Sequence, residues 1–507
     1  MSVIHTYFNG QPQPPPPSSS PSPPSTFSSI NPATETVLAT VYTTTPSQLQ
    51  QAIDSAAAAF PSWSQTPPLD RSRILLRAVA LLRARNDELA LVETQDTGKP
   101  LQETLAVDVA TGADVLEYYA KLVADGLPGL HTPLSANTHV YTTHEPIGIC
   151  AGIGAWNYPL QIALWKSAPC LAAGNCMVYK PSEVTPLHGN RLAAIYSEAG
   201  LPPGVFNVVY GDGPAVGEPL VNHPAIGKVS FTGQVSTGRR VAAQAASNMK
   251  SITMELGGKS PLLILPDADI DHAADVAIAA NFFSSGQVCT NGTRVFVPHS
   301  LLEPLKRAIV KRCNDICIDM PDKQTTTLGP LVSAAHRNKV MDYINHGLHV
   351  DRAKVVYDGN ASLPPHLRNK PGYWVAPMVF ECTDDMRIAR EEIFGPVMCL
   401  LPYQTAPRPM DWLPALLRRA NATPLGLAAG VVSSDLGLAQ AVVAKLHAGI
   451  TWINTWGDSP AEMPVGGWKL SGTGLENGHE GIRAYLRTKS TFVNTGNTAA
   501  QLAEAKL

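Results

Sequence analysis

The sequence predicts a doubly wound α/β fold in more than one domain, on two observations. From Ile147 onward, strand-like runs alternate with helical stretches, the pattern of a parallel sheet covered by helices on both faces. A chain of 507 residues, 44% hydrophobic and 16% charged, is also too long for a single core, so two or three domains are expected.

The elements follow in order. Residues 11–24 are rich in Pro and Ser and predict a flexible loop (11–26) between two strand-like pieces, with a ligand for a Pro-recognising domain as the alternative. Residues 47–60 and 69–96 carry helical periodicity, with Ile74, Leu75, Ala78, Leu81 and Leu82 on one face. Thr97-Gly98-Lys99-Pro100 ends that run, and another amphipathic helix reaches about Ala124. The runs Ile147–Ile153, Cys176–Tyr179, Phe206–Val209, Lys228–Phe231 and Ser251–Glu255 predict parallel strands, each followed by Gly, Pro or Ser and a helix. A second alternating region runs from Pro261 to about Asn454.

Composition excludes several classes. A net charge of −3 offers no basic field for nucleic acid. The longest apolar stretches are broken by Asn157, Lys166 or Asp267, too short for a membrane span. The N-terminus shows no secretory signal. Eight scattered cysteines, of which Cys313 and Cys317 have helical spacing, predict reduced thiols and no zinc site.

Three turns could hold a dinucleotide. Gly211-Asp212-Gly213 with Gly217 is one residue off the usual fingerprint and reads as a loop. Gly233 and Ser236, in Phe231–Gly238, follow a strand and open a helix, where backbone can approach a pyrophosphate. Lys180, Ser182 and Glu183 end another strand; a carboxylate there disfavours a 2′-phosphate and so NADP. For chemistry, Glu255 in Met254–Ser260 supplies a carboxylate, and Cys289 in Ser285–Thr290 supplies a thiol just after a Gly-Gln turn. A thiolate nucleophile and a carboxylate that activates water are what oxidation of an aldehyde to an acid requires.

These two segments resemble the signature of the aldehyde dehydrogenases, and the similarity extends over nearly the whole chain, most of all to the betaine aldehyde branch. The resemblance implies an NAD-binding domain (1–128 and 149–254), a catalytic domain (255–473), and an oligomerisation arm (129–148 and 482–497) that makes a homodimer or homotetramer. It implies Cys289 as nucleophile, Glu255 as general base, and oxyanion donors from the Asn157 amide and the Cys289 N–H. It extends the cofactor set to Gly154, Ala155, Trp156 and Gly257, with Glu392 and Phe394 of Glu391–Pro396 beside the nicotinamide ribose. Lys166 and Glu476 resemble a proton-relay pair, though each could be structural, and Leu475 departs from the usual arginine. Potassium held by backbone oxygens is implied near Ser29, Ile30, Asp96 and Val184 within a subunit, and near Lys469 and Gly472 between subunits.

Substrate class rests on aromatic placement. Tyr158 and Trp165 are two helical turns apart, and Trp456 follows Trp452–Thr455; together they predict a cage for a quaternary ammonium by cation–π attraction, with ordinary core packing as the alternative. The expected reaction is oxidation of betaine aldehyde to glycine betaine. Alternatives are trimethylaminobutyraldehyde or aminoaldehydes, or an idle family member with a structural role. The final Ala505-Lys506-Leu507 resembles a peroxisomal import-receptor address, so peroxisome and cytoplasm are both expected locations.

Overall fold

The computed structural model describes residues 2–15, 25–368 and 370–496. Most of the Pro/Ser-rich stretch, the last residue of the expected arm and Ala505-Lys506-Leu507 lie outside the described residues.

The five expected strands form one parallel array, in the spatial order Ser251–Glu255, Ile226–Thr232, Ile149–Ile153, Cys176–Lys180, Phe206–Val208. Strand order reverses between Ile149–Ile153 and Ile226–Thr232. In such sheets a crevice opens at this switch point, outside the carboxyl ends of the strands. These strands are almost wholly buried, which explains their continuous apolar character. Gly472–Thr473 adds antiparallel to Ser251–Glu255, with Gly472 opposite Glu255, so a piece expected with the catalytic domain joins the edge of the first sheet. At the other edge Tyr7–Phe8 pairs antiparallel with Phe206–Val208, and Gln11–Pro12 pairs with it in turn.

The second sheet has seven strands, in the order Lys354–Asp358, Met378–Glu381, Val397–Tyr403, Arg294–Pro298, Pro261–Ile264, Ala428–Val432, Ile450–Ile453. All pair in parallel except Lys354–Asp358. A third, antiparallel sheet joins Leu486–Asn494, Thr138–Pro146 and His131–Pro133. Residues 482–483 instead close the short helix Gly478–Arg483. Phe492 stands exposed on the outer strand.

The helix expected over 69–96 is two, Pro68–Ala84 and Asn86–Thr97. They divide at Arg85, whose N–H turns back to the carbonyls of Leu81 and Leu82. Asp87 and Glu88 then open a fresh first turn, where acidic side chains suit the helix dipole. The helix to Ala124 is Val109–Val123, entered through a π-helical turn at Thr104–Asp108. Among the described residues no helix is long and apolar enough to cross a membrane.

Helix Val109–Val123 packs on Pro159–Ala172, which carries Trp165 and Lys166. Gly112 permits the approach: a Cβ there would lie 2.7 Å from Leu164 Cδ1. Gly112→Val should therefore overpack the contact and cost about 1–3 kcal/mol, seen as a lower thermal midpoint. A midpoint equal to wild type would mean the helices have slack here.

Candidate active site

One cavity of about 1060 Å³ opens at the switch point and runs between the two sheets. The chain passes from Glu255, the last residue of its strand, through Leu256–Ser260 into Pro261–Ile264 of the second sheet. Helix Ile270–Phe282 then delivers the loop that holds Cys289. The expected residues Glu255, Asn157, Cys289 and Glu476 all line this space, and Lys166 lies directly behind it.

The Cys289 loop is tightly constrained. Ser284, Ser285 and Gly286 are left-handed in succession, with φ of 51°, 56° and 74°. For the two serines this backbone costs on the order of 1 kcal/mol or more each. Gln287 Oε1 accepts from the Val332 N–H at 3.0 Å, and Asn291 donates to the Gly286 carbonyl at 2.9 Å. Asn157 Nδ2 donates to the Gln287 carbonyl at 2.9 Å, which leaves its second hydrogen for a ligand. The N–H groups of Cys289 and Thr290 face the thiol and favour its anion. Burial outweighs them and, with Glu392 and Glu255 nearby, pushes the Cys289 thiol up to about 12.

Glu255 is 7% exposed, and one of its oxygens has no hydrogen-bond partner. Burial, then the charge of Glu476, holds it well above the usual carboxylate range, with Lys166 opposing. Lys166 Nζ donates to Glu476 Oε1 at 2.8 Å, Thr232 Oγ1 at 2.8 Å and Ser230 Oγ at 3.0 Å. Ser230 Oγ donates to the same Glu476 oxygen at 2.7 Å. This arrangement can pass a proton, and it also fixes three segments of chain.

The far half of the cavity suits a phosphate-bearing ligand. Gly154, Ala155 and Trp156 follow the central strand, and Gly233 follows the next. Helix Val235–Ala246 begins beside them with no side-chain cap on its N-terminal N–H groups, an arrangement that favours an anion. Ser236 is exposed and does not line the cavity; Thr237 does, because one residue turns the helix face by about 100°. Gly213 and Gly217 also reach the wall, and their segment is a π-helical turn capped by Asp212, not an open loop. Lys180 Nζ lies 3.4 Å from Glu183 at the rim, and Ser182 lines it too. Glu392 accepts from the Gly258 N–H at 3.1 Å, and any side chain on Gly257 would collide with its carboxylate. Phe394 sits edge-on to Trp156 at 5.2 Å, with φ of 65°.

Tyr158, Trp165 and Trp456 share the near half with Phe283 and Trp452. The last two were not singled out in the sequence, although Trp452 lies tilted against Trp456 at 4.9 Å and sits in the same segment. His336 was also missed; it packs between Trp156 and Phe394, and burial lowers it to about 4, so it is neutral. Of the positions expected near potassium, Ser29 Oγ donates to Asp96 at 2.7 Å, and Asp96 also accepts from the Leu187 N–H at 3.0 Å. Ile30 pairs with Val37, and the Val184 N–H turns to Ser182. Lys469 Nζ donates to the carbonyls of Asn421 and Thr423, both at 3.0 Å.

A model of the aldehyde dehydrogenase family matches residues 19–491. Among solved structures, the chain resembles a Bacillus cereus aldehyde dehydrogenase in complex with NAD+, at 37% identity and TM-score 0.90, over 97% of both chains. It resembles a P. syringae indole-3-acetaldehyde dehydrogenase bound to NAD+, at 34% identity and TM-score 0.90, over 97% of this chain and 96% of that one. It also resembles a gamma-glutamyl-gamma-aminobutyraldehyde dehydrogenase from Burkholderia cenocepacia J2315, at 34% identity and TM-score 0.90, over 97% of each.

The buried pair makes a prediction of its own. Lys166→Met leaves the Glu476 charge unpaired and should cost about 3–5 kcal/mol, whereas replacing both partners by apolar residues should recover much of it. Thermal midpoints of Lys166→Met and of Lys166→Met/Glu476→Leu test this. A single variant as stable as wild type, or a double variant no better than the single, would refute the coupling.

Proposed function

This chain belongs to the aldehyde dehydrogenase family, and on that premise we propose that it oxidises betaine aldehyde to glycine betaine with NAD. The observation that carries the choice of substrate is the near half of the cavity. Tyr158, Trp165, Phe283, Trp452 and Trp456 wall it, and Asp458 stands two residues beyond Trp456. Aromatic faces with a nearby carboxylate favour a quaternary ammonium at roughly 0.5–2 kcal/mol per ring. The basic side chains that line the cavity, Lys180, Arg240 and Lys339, belong to segments of the other half.

The chemistry follows from the groups on the wall. Cys289 Sγ attacks the aldehyde carbon, and the spare hydrogen of the Asn157 amide and the Cys289 N–H stabilise the oxyanion. A donor of this kind is worth about 10²–10³ in turnover. A cationic substrate in the same cavity offsets Glu392 and Glu255, which otherwise oppose the thiolate. Gly233, the open end of helix Val235–Ala246, Lys180, Glu183 and Glu392 fit NAD, whose part is to accept a hydride. Glu255, with its unpartnered oxygen and raised proton affinity, deprotonates the water that hydrolyses the thioester on Cys289. Glu476 and Lys166 then carry that proton away.

Aminoaldehydes are the second reading, because Asp458 also suits a primary ammonium and because of the likeness to an enzyme named for an aminobutyraldehyde. A substrate panel read by NADH absorbance separates the two. Association of copies through the edge strand Leu486–Asn494, with its exposed Phe492, belongs to the same proposal.

Cys289→Ala should lose dehydrogenase activity while retaining NAD binding; turnover above a few per cent of wild type would remove Cys289 as nucleophile. Glu255→Gln should give an NADH burst followed by a slow steady state. Loss of hydride transfer itself would contradict the general-base role.

Trp456→Ala and Tyr158→Ala should raise KM for betaine aldehyde about 3- to 30-fold more than for an uncharged aldehyde of similar size. Equal losses for the two substrates would mean that the rings only pack.

A further inference from the structure

We propose that Glu103 is a positioning residue for the nucleophile: its carboxylate clamps Ser284 and so fixes the left-handed turn that aims Cys289 into the cavity. Glu103 ends the short helix Leu101–Glu103, far from Cys289 in sequence. Its two oxygens accept from the Ser284 N–H at 3.2 and 3.1 Å, and one also accepts from Ser284 Oγ at 3.0 Å. Because Ser284 Oγ donates to Glu103, the Tyr158 hydroxyl, 2.8 Å away, donates to Ser284 Oγ. One carboxylate therefore holds both the turn before Cys289 and a ring of the cavity wall.

A clamp is needed here because two successive serines adopt φ values that L-residues avoid. Such backbone persists only where its surroundings over-determine it. Asn291 ties the Gly286 carbonyl, and Ser285 Oγ donates to the Gly329 carbonyl at 2.9 Å; Glu103 holds the first residue of the turn by both its N–H and its hydroxyl. The nearby buried cation has other partners besides Glu103: Lys99 is paired with Asp108 and lies 3.5 Å from Glu93. Lys99 Nζ also sits 3.9 Å over the Tyr158 ring.

The proposal rests on Cys289 as nucleophile, and its test separates the two. Iodoacetamide labelling of Cys289, followed by peptide mass spectrometry, is compared with the NADH burst and with NAD affinity. The proteins are wild type, Glu103→Gln, Ser284→Gly and the double variant. Glu103→Gln should slow both labelling and burst about tenfold, the scale of a small misplacement, with NAD affinity kept within about twofold. Glycine tolerates the left-handed turn without a clamp, so in the Ser284→Gly background the same change should cost under a third as much. Labelling at the wild-type rate in Glu103→Gln, or equal losses in both backgrounds, would overturn the proposal. Should Glu103→Gln fail to fold, Glu103→Asp keeps the carboxyl group but withdraws it by one methylene. It should slow labelling severalfold, and an unchanged rate would overturn the proposal equally. If labelling Cys289 leaves wild-type turnover intact, the nucleophile assignment itself fails.

Discussion

The buried ion pair between Lys166 and Glu476 is the constraint on which the rest of the site depends. It joins helix Pro159–Ala172, strand Ile226–Thr232 and the segment that returns from the second sheet. Two charges this deep are tolerated because each is hydrogen-bonded to the other and to hydroxyls of the neighbouring strand. Ser230 and Thr232 do this from one face of a single strand. The pair fixes Glu476 beside Glu255, so a carboxylate without a cation of its own meets a neighbour of like charge. Burial and that neighbour raise its proton affinity, which suits a group that must take a proton from water and give it up again. The pair is thus a brace for the fold and the source of the electrostatics at once.

Much of this was legible in the sequence, for identifiable reasons. The five parallel strands of the first sheet are largely buried, so each reads as a short apolar run closed by Gly, Pro or Ser. Glu255 and Cys289 were legible because each sits in a turn whose glycines have no other use. Gly257 shows why: a side chain there would strike Glu392. The single helix expected over 69–96 misled because its apolar periodicity continues through Arg85, although the backbone turns there.

What stayed hidden has a common cause. Glu103 and Ser284 are ordinary polar residues, widely separated in the chain, with no periodicity or spacing to connect them. Trp452 was hidden differently, in a buried strand where an aromatic reads as core. Thr237 in place of Ser236 depended on helix phase, which the boundary of a helix sets and a motif does not. Sequence patterns report what a residue does for its own segment; these residues act between segments.

The cavity itself divides by side-chain chemistry. Charged side chains of both signs, Lys180, Arg240, Lys339, Glu183 and Glu392, line the half that suits a dinucleotide, while aromatic rings and Asp458 line the other. The proposed cationic substrate would find aromatic faces and a carboxylate in the second half. Cys289 stands between the two halves, with carboxylates close by and a thiol pushed up to about 12. Burial and the neighbouring carboxylates favour the protonated thiol. A cation in either half shifts the balance toward the thiolate. The burial that raises the Cys289 thiol thus makes it sensitive to any charge placed in the cavity.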